Sequence, residues 1–151
     1  MTTSFRCHGH GRGSTSDVWA VLADYGRLAT WASGVDHSSM LTDDDHVVGA
    51  VRRAQLGRTV LTEHVTEWVD GETLAYDING LPPIIDTASA RWDLTDHDGH
   101  ADIVVTITLE PANPAGRALV PALRRRMSRS YLDMIDDLST EVAARIAVAA
   151  P

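Results

Sequence analysis

The sequence predicts an α+β fold in which a curved antiparallel sheet of about seven strands wraps around a long C-terminal helix and leaves an internal cavity. Between residues 35 and 110, hydrophobic and polar residues alternate along several segments, as in strands with one buried face. Past Pro111 the spacing of hydrophobic residues becomes helical and stays so to about Ala149. This helix is the only large apolar element available to cover the sheet.

The N-terminal part is expected to hold one strand and two short helices. The strand is predicted at residues 3–8. Ser14 and Asp17 then follow the capping-box pattern, so a helix should begin directly after Ser14. A second short helical piece is predicted at residues 27–32, between two glycines.

Six further strands are predicted, at residues 35–42, 47–56, 59–69, 72–79, 86–95 and 101–110. The gaps at Gly57–Arg58 and Asp70–Gly71 have the length of hairpin turns. Neighbours joined so tightly must be antiparallel, because a parallel crossover needs a dozen or more residues. The loop at 80–85 is apolar for a connection, and either a lid over a cavity mouth or a packed loop would explain it.

The C-terminal helix carries a continuous hydrophobic stripe, formed by Leu119, Leu123, Met127, Tyr131, Met134, Ile135, Leu138, Val142 and Ile146. About 30 helical residues span roughly 45 Å, enough to cross the whole sheet. Pro121 is expected either in the first turn or at a kink. Met127, Tyr131 and Met134 are the residues of the stripe most expected to face a cavity.

The composition is that of one ordinary globular domain, taken as residues 1–151. Hydrophobic residues make up 44% and charged residues 23% of the 151 residues. We expect no integral membrane association, because no run of about 18 apolar residues occurs, and no signal peptide. The single cysteine, Cys7, permits no internal disulfide and fits a reducing, cytoplasmic location. A monomer or a homodimer is expected.

The net charge of −8 argues against a nucleic-acid partner, because phosphate backbones repel an acidic chain. The chain contains no lysine, and one group of arginines stands out against its acidity. We call this group the basic cluster: Arg124, Arg125, Arg126 and Arg129. The simpler interpretation is a solvated helix face paired with Asp133, Asp136 and Asp137 at helical spacings. The alternative is a surface for a partner or an anionic ligand.

Five segments resemble the START-like helix-grip superfamily (SRPBCC), and are closest to its polyketide cyclase/dehydrase and lipid-transport branch. They are Val18–Tyr25, Trp31–Val35, Val48–Arg53, Glu63–Trp68 and Leu74–Tyr76. The resemblance covers nearly the whole chain and implies the helix-grip fold with an internal cavity. It leaves the function open, since the superfamily includes lipid and hormone carriers, cyclases and chaperone regulators.

Arg52 and Glu63 are the best candidates for a site. Alternation directs both side chains to the inner face of the sheet. The two-residue turn between their strands places Leu56 opposite Thr59, and therefore Arg52 opposite Glu63. A lone buried charge is very costly, so a pair is the expected arrangement. The arginine could hold a carboxylate, phenolate or carbonyl oxygen and the glutamate could move a proton, or the two could form an ion pair without chemistry.

Aromatic residues are expected to face the same interior. Trp31, Tyr76, Trp92 and Tyr131 are either plain core or, together with Met127 and Met134, the lining of a ligand pocket. Ligand pockets combine such an apolar lining with a few polar groups, which Arg52 and Glu63 would supply.

Other chemistries find little support. The seven histidines form no zinc-like pattern, so we predict no metal site; His37 and His64 are weaker pocket candidates, and alternation turns His64 outward. Glycines at 9, 11 and 13 lack the G-x-G-x-x-G spacing of nucleotide-binding loops, and no cofactor is expected. No Gly-x-Ser-x-Gly elbow occurs, so hydrolase chemistry is not predicted.

Three functions remain open from the sequence. The first is binding or carriage of a hydrophobic small molecule, such as a lipid, an aromatic polyketide or an isoprenoid. The second is a cyclase, aromatase or dehydratase in which Arg52 polarises a carbonyl group and Glu63 acts as acid or base. The third is a non-catalytic interaction protein, which a solid interior without a cavity would favour.

Overall fold

The computed structural model describes residues 2–150, which form seven strands, two α-helices and one short 3-10 helix. In chain order the elements are β1 (Thr3–His10), α1 (Thr15–Leu22), the 3-10 helix (Tyr25–Thr30), β2 (His37–Met40), β3 (Val51–Leu56), β4 (Thr59–Val69), β5 (Thr73–Asn79), β6 (Ile85–His97), β7 (His100–Pro111) and α2 (Pro114–Ala149). The predicted fold class and order of elements are confirmed.

The strands form one antiparallel sheet in the order β1-β7-β6-β5-β4-β3-β2. The register shifts between Val65 and Glu67 in β4, and between Ile85 and Thr87 in β6. Such irregularities bend a strand and increase its twist, which lets the sheet curve around a helix. No helix among residues 2–150 is both long and apolar enough to cross a membrane.

The core lies between the concave face of the sheet and the inner face of α2. In β7 the alternating residues Ile103, Val105, Ile107 and Leu109 have no exposed surface, as their spacing predicts. The stripe of α2 is buried from Tyr131 to Val142, but Ile146 is 42% exposed. The predicted stripe was therefore too long at its C-terminal end.

The glycines at 9, 11 and 13 allow the end of β1 and the turn after it to pack closely. A Cβ atom on Gly9 would lie 2.3 Å from Cγ2 of Ile135, and one on Gly13 would lie 2.9 Å from Cγ1 of Val142. Only a residue without a side chain permits this approach of β1 to α2. The C-terminal half of α2 is thereby held tightly to the sheet.

β2 and β3 are shorter than predicted because residues 41–50 form a loop. The hydroxyl of Thr42 accepts the backbone N–H of Val51 at 3.1 Å, which takes the place of a strand partner. The Asp44 carboxylate accepts the N–H of His46 at 3.1 Å, and Gly49 has a φ of +95°. Local hydrogen bonds of this kind compete with strand pairing.

The start of α1 agrees with the prediction from the sequence, whereas the bounds of the short second helix do not. Ser14 and Asp17 form the expected capping box, with the Asp17 N–H donating to the Ser14 hydroxyl at 3.2 Å. The helical piece predicted at 27–32 is the 3-10 helix, which begins two residues earlier and contains a non-helical Arg27. Pro114 starts α2 and Pro121 lies inside it, beyond the first turn.

Candidate functional site

A cavity of about 330 Å³ lies between the sheet and the N-terminal half of α2. Its lining comes from the 3-10 helix and the segment after it, from β3, β4, β5 and the loop after β5, and from α2: Leu28, Val35, Ala54, Leu56, Thr59, Leu61, Glu63, Ile78, Leu81, Pro82, Leu119, Ala122, Leu123, Arg126, Met127, Ser130, Tyr131 and Met134. Three of these residues, Pro82, Ala122 and Arg126, are exposed. The cavity therefore opens at the protein surface between α2 and the loop after β5.

Most of the cavity wall is aliphatic, and its polar groups lie at different depths. Glu63 and Tyr131 are each 5% exposed, so their polar atoms belong to the inner wall. Arg126 is exposed and belongs to the mouth. An apolar chamber with a few separated polar groups is the usual form of a small-molecule site.

Arg52 and Glu63 form the ion pair that the strand register predicts. The two residues are direct partners across β3 and β4, and Arg52 Nε donates to Glu63 Oε1 at 2.7 Å. Their side chains are 2% and 6% exposed. Among the described residues, the hydrogen bonds to the Glu63 carboxylate involve Oε1, which leaves Oε2 as the acceptor that can serve a molecule in the cavity.

Arg52 lies one layer behind the cavity wall, enclosed by two tyrosines. Its Cζ atom is 3.9 Å from the ring centroid of Tyr25 and 5.1 Å from that of Tyr76. Its Nη1 donates to the Tyr25 carbonyl oxygen at 3.0 Å, and the Tyr25 hydroxyl donates to the Glu63 carbonyl oxygen at 3.0 Å. Burial alone would lower the pKa of Arg52, but the Glu63 carboxylate, its hydrogen bond to Arg52, and the two tyrosines together outweigh burial, and the pKa is raised.

A second buried polar chain runs from the core to the cavity wall. The indole N–H of Trp92 donates to the Tyr76 hydroxyl at 3.2 Å, and the hydroxyls of Tyr76 and Tyr131 are hydrogen-bonded at 3.0 Å. Burial raises the pKa of Tyr76 to about 12, and the Glu63 carboxylate adds to this effect. Burial also raises the pKa of Tyr131 well above its ordinary value. Both hydroxyls therefore stay protonated at neutral pH and can act as hydrogen-bond donors.

The predicted site residues divide into two layers. Glu63, Met127, Tyr131 and Met134 line the cavity. The other four are buried but are not part of its lining: Trp31, Arg52, Tyr76 and Trp92. The position of Arg52 therefore does not support a direct contact with a ligand's carbonyl, and Arg52 reaches the cavity only through its hydrogen bond to Glu63.

Tyr25 is a functional candidate that sequence reasoning missed, and Arg126 was considered only as part of an exposed basic cluster and not as part of a cavity. The ring of Tyr25 lies against the Arg52 guanidinium, but the hydrophobic pattern in which Tyr25 falls, at the start of the 3-10 helix, indicated only a core residue. Arg126 precedes Met127 and lies off the apolar stripe of α2, so periodicity assigned it to the solvent. The loop at 80–85 supplies Leu81 and Pro82 to the cavity wall.

The basic cluster is not paired with the aspartates that follow it on α2, contrary to the simpler interpretation of the sequence. Within residues 2–150, no carboxylate oxygen lies within 4.0 Å of a nitrogen of its four arginines. The Asp137 carboxylate instead accepts the N–H and the hydroxyl of Ser33, at 2.8 and 2.7 Å. Arg124 lies over the ring of Phe5, 5.3 Å from its centroid.

Other groups offer weaker chemistry. His37 and His64 are exposed, as alternation predicts for His64. Asp44, Asp45 and His46 bring their ligand atoms within 4.8 Å of one another in the loop between β2 and β3. These side chains are solvent-accessible and already have local partners: His46 Nδ1 lies 2.9 Å from Asp45 Oδ1, and the Asp44 carboxylate accepts the N–H of His46. They give no reason to assign a metal there.

Solved structures share the fold of this chain at low sequence identity. The aromatase/cyclase ZhuI from Streptomyces sp. R1128 is 16% identical, with a TM-score of 0.80, covering 97% of this chain and 96% of that one. Ara h 8.0201 is 13% identical, with a TM-score of 0.79 and coverages of 95% and 99%. The di-domain aromatase/cyclase StfQ of the steffimycin biosynthetic pathway is 12% identical, with a TM-score of 0.82, covering 97% of this chain and 52% of that one.

Sequence comparison identifies the family. No curated protein matches the chain. The family model for polyketide cyclase / dehydrase and lipid transport matches residues 12–143, which include every strand after β1 and nearly all of α2. The chain therefore belongs to the polyketide cyclase/dehydrase and lipid transport family.

Proposed function

We propose that this protein binds a hydrophobic small molecule in the cavity and carries it there, shielded from water. The observation that carries the proposal is the aliphatic chamber of about 330 Å³ with one buried carboxylate, Glu63, in its wall. The volume falls within the range of about 300–1,000 Å³ that is common for small-molecule sites. A lipid, an aromatic polyketide or an isoprenoid-like molecule fits this description.

The inner wall favours a ligand that carries a hydrogen-bond donor. Glu63 and Tyr131 both line the chamber, the hydrogen bond from Arg52 leaves Oε2 of Glu63 available, and a carboxylate only accepts hydrogen bonds. A wholly apolar ligand would leave Oε2 of Glu63 out of water and without a hydrogen bond, which costs roughly 1–3 kcal/mol. A ligand with a hydroxyl group at its inner end avoids that cost.

Ligand binding can be tested with decanol, which has one hydroxyl group and an apolar body. We expect wild-type protein to bind decanol in calorimetry and the Ala54→Phe variant to lose this binding, because the added ring fills the chamber beside Glu63. Ala118→Phe is the matched control, since Ala118 is exposed on α2 and does not line the cavity. Equal decanol binding by the two variants would show that the cavity is not the site.

The natural ligand can be sought directly. Purified protein is extracted with organic solvent and the extract is analysed by mass spectrometry, with Ala54→Phe protein prepared in the same way as the control. We expect a hydrophobic compound in the wild-type extract that is absent from the variant extract. Identical extracts would contradict carriage of a retained ligand.

A second candidate function is a cyclase, aromatase or dehydratase reaction in the same cavity. The family and the aromatase/cyclase neighbours favour it, and the position of Glu63 is compatible with it. In a dehydration, the Glu63 carboxylate would take a proton from carbon and return it to the departing hydroxyl, which leaves as water. Arg52 would position Glu63 for both steps, and no oxidant or cofactor is needed.

Glu63→Gln separates the two functions. The amide oxygen stays on Arg52, and the amide NH2 group then faces the cavity, where it can donate to a ligand hydroxyl but cannot take a proton. Binding should therefore persist while turnover of poly-β-ketone analogues is lost, in protein that urea denaturation shows to be folded, because Arg52 loses its charged partner. Unchanged turnover in Glu63→Gln protein would contradict the enzymatic role. The third interpretation of the sequence, an interaction protein with a solid interior, is disfavoured by the cavity itself.

A further inference from the structure

The mouth of the cavity and its inner end differ in charge. At the inner end, the Glu63 carboxylate is matched by the Arg52 guanidinium at 2.7 Å, so the pair is neutral as a whole. At the mouth, Arg126 lines the cavity and is exposed to solvent. A molecule inside the cavity would therefore meet a neutral polar group at one end and a positive charge at the other.

Arg126 is also free to bind an anion. Throughout residues 2–150, no carboxylate oxygen lies within 4.0 Å of its guanidinium nitrogens. Elsewhere on the same helix an arginine does find a partner, because Arg145 Nε lies 3.1 Å from Glu141 Oε1. All four arginines of the basic cluster lack such a partner in the described part of the chain, and Arg126 is the one of the four that lines the cavity.

The surroundings of Arg126 increase its attraction for anions. Four of the 13 basic residues of the chain fall in the basic cluster, within six positions of α2, although the net charge of the chain is −8. Like charges so close together repel one another, and an anion at the mouth would relieve that repulsion. Arginine also binds a carboxylate through two parallel hydrogen bonds.

We propose that the ligand is an amphiphilic anion whose carboxylate lies at the cavity mouth on Arg126, with its apolar body inside and its donor end toward Glu63. This inference rests on the proposed function, since it assigns an orientation and a chemical class to the molecule bound in that cavity. The reverse orientation is unfavourable because Glu63 and not Arg52 borders the cavity, so the ligand's carboxylate would lie closer to the negative member of the pair than to the positive one.

Two probes that differ only at the mouth end test the proposal. ω-Hydroxydecanoate carries a hydroxyl group for Glu63 and a carboxylate for Arg126, whereas decanediol replaces the carboxylate by a second neutral hydroxyl group. We expect wild-type protein to bind the hydroxy acid more tightly than the diol in calorimetry. The difference should shrink as salt concentration rises, because the mouth is exposed to solvent.

Arg126→Gln and Arg125→Gln form the matched pair of variants. Both remove one arginine of the same cluster, but Arg125 does not line the cavity. In Arg126→Gln protein the preference for the hydroxy acid over the diol should fall about fivefold, the upper range for one exposed ion pair. In Arg125→Gln protein the preference should change less than twofold. Unfolding midpoints of both variants should match wild type, since both positions are exposed.

The outcomes separate this proposal from the one on which it rests. The anionic orientation is wrong if both probes bind wild-type protein with equal affinity. It is also wrong if both variants change the preference equally. In either case the proposal of a hydrophobic site in the cavity stands. If neither probe binds to wild-type protein, both proposals are overturned. A preference lost in Arg126→Gln protein alone supports the assignment of Arg126.

Discussion

Arg52 and Glu63 face each other across β3 and β4 with Nε and Oε1 2.7 Å apart, and neither side chain is more than 6% exposed. Two opposite charges so deeply buried depend on each other. Removing one leaves the other unpaired in an apolar environment, which costs far more than the loss of one hydrogen bond.

Arg52→Met should therefore reduce the free energy of unfolding by about 3–5 kcal/mol, as measured by urea denaturation. The double variant Arg52→Met/Glu63→Leu should lose less than Arg52→Met alone, because no unpaired charge remains. A double variant that loses as much as the sum of its two single variants would contradict the interdependence of the pair.

Alkaline pH should destabilise the fold through its tyrosines, all three of which are buried. Burial raises the pKa of Tyr76 to about 12, whereas a tyrosine in the unfolded chain titrates near about 10. Between these values the unfolded chain releases the phenolic proton and the folded chain keeps it. The free energy of unfolding should be unaffected below pH of about 10 and then fall by up to about 3 kcal/mol for this group as pH rises to about 12.

Urea unfolding at a series of pH values, combined with phenolate absorbance of the folded protein, measures this effect. Tyr76→Phe should give a shallower alkaline decline, since one of the titrating groups is gone. At neutral pH the same variant should lose about 1–3 kcal/mol, because the Trp92 indole and the Tyr131 hydroxyl lose their partner. Phenolate formation in folded protein at the pH of a free tyrosine would contradict the prediction.

Gly9→Ala should destabilise the protein by about 1–3 kcal/mol, because its Cβ would lie 2.3 Å from Cγ2 of Ile135. Gly34→Ala is the matched control, since nothing lies within 4 Å of a Cβ at that position. Its stability should be unchanged or slightly higher, because alanine restricts the unfolded chain. Thermal unfolding of both variants measures the difference, and equal midpoints would refute the close packing of β1 on α2.

Ser14→Ala should cost about 1 kcal/mol through the loss of the capping box of α1. Ser16→Ala provides the control, because Ser16 is exposed two residues further on, inside the helix. Alanine favours helix there, so this variant should be neutral or slightly more stable. Urea denaturation compares the two, and a loss of equal size in both would rule out a special role for the cap.

The strand register could be predicted because local rules determine it. A two-residue turn fixes which residues face each other across β3 and β4, and alternation fixes which side they occupy. Arg52 and Glu63 were therefore correctly paired from the sequence. A break between β2 and β3 was predicted at residues 43–46, but the full loop at 41–50 was not. The side chains of Thr42 and Asp44 form hydrogen bonds with the backbone there, and such hydrogen bonds leave no periodic signal in the sequence.

Which of the inward-facing side chains border the cavity could not be predicted. Alternation directs Tyr76, Trp92 and Glu63 to the same face of the sheet, but the distance from that face to α2 decides which of them borders empty space. That distance depends on the curvature of the whole sheet, which the register shifts in β4 and β6 produce. The place of Arg126 at the cavity was not predicted for a related reason, since a cavity mouth lies where the covered face of a helix meets solvent.

The two halves of α2 serve different purposes. Ile135 and Val142, in the C-terminal half, pack against glycines with no spare room, whereas Leu119, Leu123 and Met127, in the N-terminal half, border the cavity. Substitutions in the N-terminal half can change the shape of the chamber without disturbing the contacts between the C-terminal half and the glycines. Such a division lets the fold persist while ligand preference diverges in evolution, and it makes the chamber the natural place to redesign specificity.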